Sequence, residues 1–178
     1  MKPSKALIRS MDRRGSRSDK SPRVAQKTKF REPSVCDRCG AVYVDKTWRR
    51  GPRLEANALN KARWVRCPAC AQAETGEYYG RVLIEVGDIA LREAIDARIN
   101  NVDKLAQVTQ PERRIVSTEW NGNTLEVLTT SQKLAHRIVH EVGKAFGGVP
   151  HFSWSHGDGS LFATLRIAPK LHKHKKSK

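Results

Sequence analysis

The sequence predicts an α+β fold: a four-cysteine, zinc-ribbon-like module followed by a small domain of helices packed on an antiparallel sheet. Three observations predict it. All four cysteines fall in two Cys-x-x-Cys pairs. Downstream of the pairs, period-two and helix-period apolar patterns alternate. The net charge of +16 is concentrated at the two ends of the chain.

Residues 1–34 carry 11 basic and 3 acidic residues, and residues 165–178 carry 6 basic and none acidic. The middle of the chain therefore keeps only +2. Like-charged segments such as these repel themselves, cannot bury apolar surface and are expected to be disordered on their own. Pro3, Pro22 and Pro33 interrupt any helix in the first segment. The expected organisation is a basic arm over 1–34, a zinc-binding module over 35–81, an α+β domain over 82–168 and a basic tail over 169–178.

Within the module, each two-residue spacer lets two thiolates converge on one ion. Cys36, Cys39, Cys67 and Cys70 then supply the four sulfurs of a closed tetrahedral zinc site, structural rather than catalytic. Gly40 follows the first pair, where a knuckle often needs positive φ. The 27 residues between the pairs exceed the usual ~15–20, and a short helix over 54–61 accounts for the excess. Two disulfides, a redox dithiol and an iron–sulfur cluster are the alternatives. No secretory signal supports the first, and redox pairs do not usually come in twos.

The α+β domain reads in order. Residues 78–86 alternate and form a strand. Asp88 caps a helix whose apolar face holds Ile89, Leu91, Ile95, Ile99 and Leu105. Residues 114–120 and 124–128 are strands joined at Asn121-Gly122, a strong type I′ turn signal. Thr130 or Ser131 caps a second helix with Leu134, Ile138, Val142 and Ala145 on one face, ended by Gly147-Gly148. Residues 149–155 and 161–167 form a last hairpin. The order β-α-β-β-α-β-β is ferredoxin-like with an added strand.

The charge points to a polyanion, whose condensed counterions make binding steeply salt-dependent. Lys46, Arg49, Arg50 and Arg53 surround Trp48, and Arg63 and Arg66 flank Trp64. These cations are expected to meet phosphates, with Trp48 stacking on a base. Trp64 is expected to pack over the zinc site instead. His136 and His140 share a helix with Lys133, Arg137 and Lys144 and read as a solvated cationic face. Glu74 and Glu77 lack a partner base, and no catalytic set is evident, so an enzyme is not expected. No apolar run approaches the ~20 residues of a membrane span, no small-molecule site is announced, and a cytoplasmic location is expected.

The run Cys36-x-x-Cys39-Gly40, then Trp48, Cys67-x-x-Cys70 and Gly76-Glu77-Tyr78-Tyr79, resembles the large-ribosomal-subunit export adaptor (nonsense-mediated-decay-three) family. Residues 125–131, the helix entry into Ala135-His136-Arg137-Ile138-Val139 and the Phe146-Gly147-Gly148 helix end extend the resemblance. The resemblance to small bacterial zinc-ribbon proteins of that kind is closer still, carried by the Cys36–Tyr43 and Trp48 pattern, Arg114-Ile115, the Thr129-Thr130 helix entry and the Gly-ended second helix. The adaptor's preceding Cys pairs are absent here, so nuclear export is not implied. The resemblance implies a ribosome-associated, RNA-binding protein whose partner is the large ribosomal subunit or other structured RNA. A DNA-binding zinc-ribbon transcriptional regulator is the alternative.

Overall fold

The computed structural model describes residues 30–50 and 55–169. The expectations for the basic arm before Phe30, for Arg53 and for the tail beyond Pro169 lie outside the described residues.

The cysteine-bearing half is built on a sheet of three-residue strands, β1 (Ser34–Cys36), β2 (Val42–Val44), β3 (Thr47–Arg49) and β4 (Arg63–Val65), in the order β3-β2-β1-β4. A two-residue turn joins β2 to β3, and Asp45 and Lys46 both take positive φ there (50° and 59°). That conformation matches the twist of the flanking strands. The Glu32 carboxylate accepts from both turn amides, at 3.1 and 2.7 Å. Two helices complete this half, α1 (Ala56–Lys61) and α2 (Pro68–Thr75). The expected helix between the pairs is α1. Spacing alone predicts a knuckle at the second Cys pair like that at the first, but the second pair opens α2. Pro68 at the first helical position favours that start.

The second half runs β5 (Gly80–Val86), a 3-10 turn (Ile89–Leu91), α3 (Arg92–Thr109), β6 (Ile115–Asn121), β7 (Thr124–Thr129), α4 (Gln132–Phe146), β8 (His151–Trp154) and β9 (Leu161–Ile167). The strands form one sheet in the order β6-β7-β5-β9-β8. A ferredoxin-like sheet would pair the fourth strand with the first. Here the fifth strand does so, β9 running parallel to β5, and β8 lies outside it at the edge. The sheet is therefore mixed rather than wholly antiparallel.

Alternation places Val82, Ile84 and Val86 on the face shared with Leu125, Val127, Leu161, Ala163 and Leu165. These pack against Ile95, Ile99, Val102 and Ala106 of α3 and Leu134, Ile138, Val139 and Val142 of α4 as one core. The apolar faces expected for the two helices are one position out at their ends. Leu105 and Ala145 are exposed, and Ala106 and Phe146 take the inward places, keeping the 3.6-residue repeat. Asp88 accepts from the Ala90 amide and Ser131 from the Leu134 amide, as capping residues should. The β6–β7 turn falls one residue later than expected. Asn121 pairs with Thr124, and of the two loop residues only Gly122 has positive φ.

Gly80 leaves room for Thr129 and for the first turn of α4 against β5. A Cβ there would lie 2.4 Å from Thr129 Oγ1 and 2.5 Å from Ala135 Cβ. Among the described residues no helix is long and apolar enough to cross a membrane. Gly80→Ala should cost about 1–3 kcal/mol through overpacking. Gly143→Ala, in the last turn of α4 with its nearest new contact 3.6 Å away, should be neutral or stabilise by about 0.5–1 kcal/mol. Urea unfolding of the two variants measures the contrast.

Candidate metal centre

The four cysteine Sγ atoms lie within 4.8 Å of one another and can hold a metal ion. Cys36 and Cys70 sulfurs are 3.8 Å apart, as are those of Cys39 and Cys67. Two local devices bring them there. After β1 the chain turns back on itself, with the Cys36 amide donating to the Ala41 carbonyl and the Gly40 amide to that of Cys36. Gly40 holds φ +68°, as the turn requires. On the other side, parallel pairing of Cys36 with Val65 delivers Cys67 two residues later. Cys67 then caps α2 and Cys70 sits in its first turn. The positive end of that helix faces the sulfurs, which favours thiolates.

The cysteines divide electrostatically. Burial pushes the Cys36 thiol up, but the amides of Cys67, Cys39 and Arg38 outweigh it and bring the thiol down to about 7. Burial pushes Cys67 well up, and the neighbouring Cys39 and Cys36 sulfurs add to that. Cys70 is also raised by burial, with Arg114 opposing.

Arg114 is the residue that spacing could not have found. It precedes β6 in the other half of the molecule, yet its guanidinium donates to Cys70 Sγ at 3.4 Å. Its Nε donates to the Pro111 carbonyl at 2.9 Å, which fixes its direction. Burial disfavours its charge, but the Cys39 and Cys70 sulfurs outweigh burial and raise its pKa. In the sequence it stands out only as part of a resemblance, 44 residues from the nearest cysteine.

The two tryptophans exchange their expected roles. Trp48 is 3% exposed and belongs to the small core over the cysteines. Phe30 and Tyr43 pack against it with ring centroids 5.1 and 5.3 Å away. It therefore cannot stack on a base. Trp64, expected to pack there, is 61% exposed. Strand register is the reason. Tyr43 pairs with Trp48 and Ser34 with Tyr43, so Trp48 shares the sheet face of Cys36. Cys36 pairs with Val65, so Trp64 points to the opposite face.

The expected cations separate likewise. Arg66 is engaged, donating to Asp37 at 2.7 Å and to Glu74. The Arg66 hydrogen bond holds the Asp37 carboxyl below the usual carboxylate range. Its place is thus to tie the first cysteine turn to α2. Arg49 makes an exposed pair with Asp45 at 3.7 Å. Lys46, Arg50 and Arg63 are exposed, and among the described residues none of the three is within salt-bridge distance of a carboxylate. By register, Arg49 and Trp64 stand at opposite edges of one sheet face.

No protein-family model, curated protein or solved structure matches the chain.

Trp48→Ala should destabilise the cysteine module by about 3–5 kcal/mol, the cost of emptying a buried aromatic site. Trp64→Ala should stay within about 0.5 kcal/mol. Limited proteolysis and thermal melting of the two variants check the reversal.

Proposed function

We propose that the chain is a non-enzymatic zinc protein that binds structured RNA, with the large ribosomal subunit or its rRNA as partner. For the metal, the support is donor chemistry and geometry. Zinc–thiolate bonds of about 2.3 Å in a tetrahedron separate sulfurs by about 3.8 Å, the spacing of two sulfur pairs here. Four thiolates fill the shell and leave no place for an activated water, so the ion's part is to hold the fold. The residues present fit zinc: Cys36, Cys39, Cys67 and Cys70 would hold it, and Arg114 would offset part of the centre's charge of about −2.

The single observation that carries the RNA reading is the partition of charge. All but two of the sixteen net positive charges belong to residues 1–34 and 165–178. Such segments contact phosphates without reading sequence. Within the module, the exposed Trp64, on the sheet face that it shares with Arg49, takes the contact role first expected of Trp48. The adaptor resemblance supports the ribosome as the source of that RNA, and a cytoplasmic setting follows from it.

Elemental analysis should find one zinc per chain. Substituting any of the four cysteines by Ser should abolish its retention and unfold the module. Zinc affinity should fall with falling pH, because the sulfurs bind the ion only when deprotonated. Purified protein should co-sediment with large subunits and be released by salt. Deleting residues 1–29, which keeps Phe30 on Trp48, Glu32 at the β2–β3 turn and Ser34 in β1, should lower that affinity at least about a hundredfold and flatten the salt dependence. Tighter binding to duplex DNA at matched salt would point instead to a transcriptional regulator. Absence of salt-sensitive binding to subunits or rRNA would overturn the reading.

A further inference from the structure

We infer that the exposed edge formed by β8 and α4 is a separate RNA contact, one that takes single-stranded nucleotides. Phe152 and Trp154 pair with Ala163 and Leu161, whose side chains are buried on the helix-covered face. Cross-strand partners share a face, yet Phe152 is 38% and Trp154 55% exposed. The helices leave both partly uncovered. His136 of α4 lies over Phe152 with ring centroids 4.7 Å apart and planes 17° from parallel. Flat aromatic surface is thus held rigidly at the sheet edge.

Alongside it runs a row of positive charge. Lys133, Arg137 and Lys144 are spaced four and seven residues apart on α4, within one narrow stripe, and all are exposed. Among the described residues none of the three is within salt-bridge distance of a carboxylate. Glu141, the helix's one acidic residue, is held by Arg98. A row of free cations beside stacking surfaces suits phosphates and bases together. A duplex hides its base faces, so the occupant is single-stranded RNA. This site rests on the reading that the protein binds RNA, but it is distinct from the basic arm and the cysteine module.

The test uses the full-length protein and an oligouridylate probe of about 12 nucleotides, within the general range of single-strand site sizes. Trp154→Ala should weaken binding about tenfold, and Trp154→Tyr should restore most of it. Joint replacement of Lys133, Arg137 and Lys144 by Gln should reduce the slope of log affinity against log salt by about 2. All these residues are exposed, and unchanged melting temperatures would exclude misfolding. Unchanged affinity and slope in both variants, with the wild type still binding rRNA, would overturn this site and leave the RNA reading standing. A wild type that binds no RNA would overturn both. Self-association through β8, abolished by Ser153→Pro, with no effect of Trp154→Ala on RNA affinity, would assign the edge to a protein contact and overturn the inference.

Discussion

Convergence of four sulfurs is the interaction on which the first half of the molecule depends. Its strands are three residues long, and its buried apolar cluster is six residues, three of them the cysteines themselves. A core of that size does not offset the entropy of ordering the chain around it. Left as thiols, three of these groups are buried, and two are disfavoured from ionising. Bound to a cation they become the strongest cross-links in the module. The aromatic cluster of Phe30, Tyr43 and Trp48 and the Asp37–Arg66–Glu74 bridge then reinforce an arrangement that the sulfurs define.

The second half needs no such staple. Its sheet and two helices bury a continuous apolar core, and its elements follow from periodicity and caps. These parts are legible in the sequence because long elements repeat their signal. Helices of 18 and 15 residues show their inward face several times over, so an error at one end, as at Leu105 or Ala145, leaves the element intact. The Ser131 cap and the Gly147 helix end carry specific backbone chemistry and are legible for that reason.

The rest is written in pairings that no local pattern encodes. Three-residue strands alternate too briefly to show which side is inward, which is why the expected places of Trp48 and Trp64 are reversed. The parallel pairings β1 with β4 and β5 with β9 join segments distant in sequence, and nothing in either segment names its partner. The same holds for the site. Its four cysteines are legible because two thiols that converge on one point need a fixed spacing, whereas Arg114 reaches Cys70 only through the tertiary fold.

The pairing of β1 with β4 also works as a ruler. Cys67 reaches the other sulfurs because Val65 stands opposite Cys36, two residues before it. The stretch between the two strands is not measured by that ruler. Residues added between β3 and α1 would leave that register unchanged. A single residue gained or lost between Val65 and Cys67 has no such latitude. It would turn the thiol to the other side of the sheet. Tolerance of length therefore lies between β3 and α1, whereas the approach to the second cysteine pair is specified to the residue.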